Sequence, residues 1–210
     1  MPAALIWGAS GGIGSALVHL LKENDWTVFG VARHEENIPA AADHTFPFNA
    51  QDPFSIQSAA MLIAQETQGF DLIVYAAGGL VSNPLEKLEP EDWSGTIAAN
   101  LDGAYLTARS SLNLLNESGQ IMFLGAYVDK ITLPRMGAYT TAKAGLEKMF
   151  VILQKENRKI KMTLVRPPAV DTPFWENAPF KLPDGAMQPE QVAAAILEKY
   201  TTGDGGELNL

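Results

Sequence analysis

The chain has 210 residues, enough for one well-packed domain and few for two. Apolar residues make up 47% and charged residues 19%, an ordinary globular balance, while 15 Lys plus Arg against 24 Asp plus Glu leave a net charge of -9. That acidity, with no run of basic residues, excludes nucleic acid and anionic membranes as partners, and the absence of cysteine excludes disulfides and thiolate metal sites.

The opening MPAALIWGAS has no basic segment followed by a long apolar stretch, and no apolar run reaches the ~20 residues of a membrane span. A cytoplasmic protein is expected. In chain order, Ala3 to Trp7 reads as a strand and Ile13 to Glu23 as an amphipathic helix. Thr27 to Ala32 and His44 to Phe48 are the next strands, Phe54 to Gln68 a helix, and Asp71 to Ala76 a continuous apolar strand. Pro90 to Leu115 predicts one long helix, Gln120 to Leu124 a strand, Gly137 to Asn157 a helix and Lys161 to Val165 a strand. Pro189 to Tyr200 closes the helices, and Glu207 to Leu210 adds a short strand. Apolar strands alternating with helices predict an α/β fold: a Rossmann-type, doubly wound sheet of about seven mainly parallel strands with helices on both faces. Residues 1–210 form one domain, and Pro167 to Gln188, rich in proline and aromatics, is expected to be a substrate lid.

Between the first strand and first helix stands GASGGIG, comprising Gly8, Ser10, Gly11, Gly12, Ile13 and Gly14. Glycines there permit a sharp turn and close backbone approach to a pyrophosphate, which the helix N-terminus then faces with free N–H groups. At the end of the second strand come Arg33 and His34 where an acid would hold a ribose 2′-hydroxyl. A cation there favours NADP(H), with NAD(H) the alternative. Asn49 is placed to bond the adenine edge, and Ala76, Ala77 and Gly78 let a cofactor pass close to the fourth strand.

Tyr139 and Lys143 stand four apart in AYTTAK and share a helix face. A phenol is a poor base near neutral pH, and a neighbouring ammonium favours its ionised form. Such a pair can give a proton to a substrate oxygen or take one from it.

The order of GASGGIG, YAAG (Tyr75 to Gly78), NLDG (Asn100 to Gly103) and YTTAK along the whole chain resembles the short-chain dehydrogenase/reductase superfamily. The resemblance implies that Asn100 supports the helix geometry and a proton-relay water. It makes Tyr139 the acid/base, with Lys143 binding the nicotinamide ribose and lowering the tyrosine pKa. RPPAVDTP (Arg166 to Pro173) resembles the segment beside the nicotinamide, so Pro168, Val170 and Thr172 are expected at the cofactor. One position departs. Members carry a serine thirteen residues before the tyrosine to bond the substrate carbonyl, and here that position is Ala126.

Loss of a preorganised donor to a developing oxyanion costs on the order of a hundredfold to a thousandfold in rate. Tyr127 and Thr132 are the nearby hydroxyls that stand as replacements, and Ala126, Tyr127, Phe174 and Trp175 are the expected substrate contacts. Two readings follow. The first is an enzyme acting on a small carbonyl, alcohol or quinonoid compound; quinonoid dihydropteridine reductases of the same superfamily also have alanine there. Arg33 and Asn100 depart from that branch. The second is a low-turnover NADP(H)-binding sensor or scaffold, against which Tyr139, Lys143 and Asn100 argue.

His19, His34 and His44 have no metal-ligand partners at a telling spacing, so no metal is expected. In Gly137 to Asn157, the residues Ala142, Leu146, Met149, Phe150 and Leu153 exceed one core-facing stripe, which predicts a homodimer or homotetramer.

Overall fold

The computed structural model describes residues 1–210. Its sheet has seven strands in the order β3-β2-β1-β4-β5-β6-β7, every neighbouring pair parallel. The strands are β1 (Ala3–Trp7), β2 (Thr27–Ala32), β3 (His44–Pro47), β4 (Phe70–Tyr75), β5 (Leu115–Leu124), β6 (Lys161–Arg166) and β7 (Gly206–Asn209).

Strand periodicity sorts the core into two layers. Ala4, Ile6, Val28, Leu72, Val74 and Met122 face one side, where α1 (Gly12–Glu23) supplies Leu17 and Leu21, and α7 (Pro189–Thr202) supplies Val192 and Ile196. The alternate residues Leu5, Trp7, Phe29, Ile73, Tyr75 and Phe123 face α2 (Pro53–Glu66), α4 (Gly103–Ser111) and α6 (Gly137–Glu156). Both faces are therefore covered, as an all-parallel sheet requires. The strand order reverses between β1 and β4, and the crevice beyond their carboxyl ends is where such sheets bind ligands.

The long helix expected over Pro90 to Leu115 is corrected. The segment is α3 (Pro90–Ile97), a π-helical turn over Ala98–Asp102, and α4, which ends at Ser111; Leu115 already begins β5. Two side-chain donors, one on the π-turn itself and one from β4, explain it. The Asn100 side chain donates to the Thr96 carbonyl at 2.9 Å, and the Tyr75 hydroxyl donates to the Ala99 carbonyl at 2.8 Å. Carbonyls so occupied leave the regular ladder, and a π-turn accommodates the shift. Gly103 makes room, because a Cβ there would collide with the Tyr75 hydroxyl. A four-residue helix, α5 (Val128–Ile131), also lies where no element is expected.

Candidate active site

The glycine loop leaves β1 with Gly8 at φ 92°, a backbone that glycine adopts freely, and a Cβ there would strike the backbone of Ala76 and Ala77. Gly8 and Ala9 donate to the Val31 carbonyl, and Ala76 donates to the Trp7 carbonyl at 2.7 Å. The ends of β1, β2 and β4 thus meet at the strand-order reversal. Gly11 precedes α1 without a side-chain cap, so the first N–H groups of the helix remain open to an anion; Ser10 and Gly11 are exposed there, with Ile13 behind them. Gly14 is buried, packed so closely on the Gly8 carbonyl that no Cβ fits.

Arg33 lies exposed just past β2 and forms no ion pair. Beside it, His34 Nδ1 sits 3.3 Å from Glu36 Oε1, and Glu35 accepts from Thr45 Oγ1 at 2.6 Å. Asn49 is exposed; its Oδ1 accepts from the Gln51 N–H at 3.0 Å, which orients the side chain and leaves its amide nitrogen to donate to a ligand. His44 stacks on Phe29 with ring centres 4.2 Å apart, a packing role.

The reactive group gathers at the other end of the crevice. Tyr139 is half-buried in the first turn of α6, and Lys143 follows one turn later, 4% exposed. Lys143 Nζ donates to the Leu124 carbonyl at 2.8 Å and lies 5.6 Å from the centre of the Tyr139 ring. Burial pulls its pKa from 10.5 down to about 8. Burial also pushes the Tyr139 phenol above its ordinary value of 10.0, the reverse of the depression expected from a neighbouring ammonium. Desolvation is the cause, and the Lys143 ammonium spends a donor on the Leu124 carbonyl.

Asn100 is fully buried on the π-turn. Its Nδ2 donates to the Gly79 carbonyl at 2.7 Å as well as to Thr96, while its Oδ1 is buried with no partner. A Cβ on Gly78 would stand 2.8 Å from that Oδ1 and 3.9 Å from Lys143 Nζ. The glycine keeps open a small space flanked by an unsatisfied acceptor and a buried ammonium, the acceptor and donor a hydroxylated ligand needs.

The 167–188 segment is tied at its base, where Val170 bridges to Met187 and Asp171 donates to the Met187 carbonyl at 2.9 Å. Trp175 Nε1 donates to the Val170 carbonyl at 2.8 Å, and the Phe174 ring packs against Tyr139 with centres 5.1 Å apart. Thr172 lies against Gly12, close enough that a Cβ there would collide with its methyl group. Val170 is buried beside it, and Pro168 is exposed. The structure therefore brings Thr172 to the glycine loop and Phe174 to the tyrosine, with Trp175 packed against Phe174.

Ala126 is 7% exposed at the end of β5 and offers no hydroxyl. Neither candidate replacement is available: the Tyr127 hydroxyl donates to the Leu210 carbonyl at 2.9 Å, and Thr132 Oγ1 donates to the Val128 carbonyl at 2.8 Å. A cleft of about 500 Å³ went unread in the sequence; Leu80 to Ser82, Arg135 and 176–179 line it. Proximity of three distant segments made it, and only the odd placement of Arg135 before the helix was a visible signal.

A family described as short chain dehydrogenase matches residues 2–181. The chain is similar to the 3-oxoacyl-[acyl-carrier-protein] reductase FabG of Escherichia coli (strain K12), 29% identical over 179 residues, covering 80% of this chain and 73% of the relative. It is also similar to the D-threitol dehydrogenase of Mycolicibacterium smegmatis, 26% identical over 217 residues, covering 92% and 84%. Among solved structures, an alcohol dehydrogenase from the archaeon Thermococcus sibiricus, complexed with 5-hydroxy-NADP, superposes with a TM-score of 0.90. That likeness has 26% identity and covers 100% of this chain and 96% of the other.

Proposed function

The chain belongs to the short-chain dehydrogenase family of NAD(P)-dependent oxidoreductases, and from that premise we propose that it interconverts a small carbonyl compound and its alcohol with Tyr139 as acid/base. One observation carries this reading: a buried Lys143 without a carboxylate partner stands one helical turn from Tyr139, beside the open space over Gly78.

The residues present fit a nicotinamide dinucleotide. The glycine loop and the open N-terminus of α1 suit its pyrophosphate. Lys143 and Asn100 Oδ1 suit ribose hydroxyls or a bridging water, and Thr172, against Gly12, suits the nicotinamide end. When bound, the dinucleotide supplies or accepts the electron pair of the redox step. The Tyr139 phenol, held protonated by burial, donates its proton to the substrate oxygen in reduction. Lys143 compensates the phenolate that results, and Phe174 shields the ring from water. Preference for NADP(H) over NAD(H) is supported by Arg33, a cation without an ion-pair partner beyond β2.

The dihydropteridine-reductase-like reading is favoured by Ala126, because a quinonoid substrate needs little carbonyl polarisation. A homo-oligomer is supported by Tyr105 on α4 and by Val151 and Ile152 on α6, all exposed and apolar. The residues expected to form that contact instead serve the chain's own core: Ala142, Leu146 and Phe150 are buried, and Met149 and Leu153 pack against them.

The test is initial-rate oxidation of NADPH and NADH with a panel of aldehydes, ketones, quinones and a quinonoid dihydropterin. Tyr139→Phe is expected to lower turnover by about a hundredfold or more while leaving cofactor affinity within about twofold. Unaltered turnover removes Tyr139 from the reaction. Tight cofactor binding without turnover across the panel overturns the enzyme reading.

A further inference from the structure

The cleft of about 500 Å³ is lined by three segments, each continuous in sequence with one that carries the reactive group. Leu80 and Ser82 on one wall follow Gly79, whose carbonyl holds Asn100. Arg135 on the second precedes Tyr139 by four residues, and Glu176 and Asn177 on the third directly follow Trp175, itself packed on the Phe174 ring that meets the tyrosine. A molecule that spans from the Tyr139 hydroxyl to Arg135 places its far end in this cleft.

Arg135 is the cleft's one cation, in a chain of net charge -9. Its backbone is left-handed at φ 67°, a conformation that residues with a Cβ resist and glycine takes freely, yet arginine occupies it. The guanidinium has five donors and gives one long hydrogen bond, 3.4 Å to the Ser82 carbonyl, which steadies it against the first wall. It forms no ion pair, although Glu176 lines the same cleft. Ser82 Oγ beside it is buried without a partner, a second polar group left unsatisfied at this wall. A planar fork of free donors in this cleft matches an oxyanion, whose oxygens accept from it.

The geometry points to Arg135 as a specificity-determining residue that selects carbonyl substrates carrying a carboxylate or phosphate group. This rests on the oxidoreductase reading above and names the substrate class for it. Glu176 sets the limit of that selection, because its carboxylate opposes an anion entering too deep.

Matched pairs test it with NADPH at low ionic strength: 4-oxopentanoate against its methyl ester, and dihydroxyacetone phosphate against dihydroxyacetone. In at least one pair the charged member is expected to show a kcat/KM about tenfold or more above its neutral counterpart, an advantage that shrinks at high salt. Arg135→Gln and Arg135→Gly should raise KM for the charged member by roughly ten- to a hundredfold with much less effect on kcat or on the neutral member. The glycine variant suits the left-handed backbone, so a loss there is not a folding defect. Glu176→Gln should strengthen the preference severalfold. Which pair responds separates carboxylate from phosphate.

A binding arm separates the two readings: 4-oxopentanoate and dihydroxyacetone phosphate are titrated into protein saturated with NADP+, followed by tryptophan fluorescence. Arg135-dependent anion binding without turnover of any compound upholds the anion site and overturns the redox assignment. Turnover with no preference for charge, a preference indifferent to Arg135, or neither turnover nor anion binding overturns the anion site.

Discussion

The Tyr75 hydroxyl donates to the Ala99 carbonyl at 2.8 Å, tying the end of β4 to the π-turn that carries Asn100. Burial, and then the nearby Asp102, push this phenol above its ordinary value of 10.0, so it stays a donor across the working pH range. Gly103 leaves the space it occupies. Asn100 thus owes its position to a tyrosine twenty-five residues earlier in the chain.

Tyr75→Phe removes that donor and leaves the Ala99 carbonyl to compete for the helical ladder. A loss of about 1–2 kcal/mol in denaturant unfolding is expected. Turnover should fall further than this, because a straightened turn moves Asn100 off Gly79. Unchanged kcat alongside the stability loss would separate the π-turn from function.

Lys143 should cost stability where it serves the reaction. Its pKa in the folded chain is about 8 against 10.5 when unperturbed. Below pH 8 both folded and unfolded forms carry the charge, and the burial penalty, on the order of 3 kcal/mol, is fully present. Between pH 8 and 10.5 the folded chain has released a proton that the unfolded chain still binds, so this group makes stability rise with pH. Lys143→Met is therefore expected to unfold about 1–3 kcal/mol later at pH 7, the gain fading by pH 10, with turnover lost. A gap between the two proteins that does not narrow with pH would contradict the assignment.

Ala126→Ser restores a hydroxyl where neither Tyr127 nor Thr132 can supply one, since both donate to backbone carbonyls. Activity on simple ketones should rise, by up to about a hundredfold. Steady-state kinetics with a ketone series is the measure. The absence of any gain would mean that simple ketones do not reach this position or that another donor already serves it.

Arg33→Asp replaces a cation without an ion-pair partner by a group that bonds a ribose 2′-hydroxyl and repels a 2′-phosphate. The ratio of kcat/KM for NADPH to that for NADH should drop by about tenfold or more. A ratio that does not move would remove Arg33 from cofactor choice.

The seven strands and the glycine loop were legible in the chain because their signals are local. A buried parallel strand is a short apolar run, a tight turn needs glycine, and Tyr139 and Lys143 share a face through helical spacing alone. Resemblance put Thr172 at the cofactor and composition put Phe174 in a lid, but their contacts with Gly12 and Tyr139 emerge only in the folded chain.

Tertiary structure decided what depends on partners far off in sequence. Pro90 to Leu115 carries helical periodicity throughout, yet Tyr75 and the side chain of Asn100 take two of its carbonyls, and the closing of β5 on β4 claims Leu115. Tyr127 reads as a free hydroxyl near the reaction until the chain returns, 83 residues later, to put Leu210 in its path. Arg135 is an ordinary loop cation until the 80s and 170s segments close a cleft around it. Spacing along the chain determines which side chains share a face; which hydrogen-bond partners are already taken, and which are left for a substrate, is determined only by the packing of distant segments.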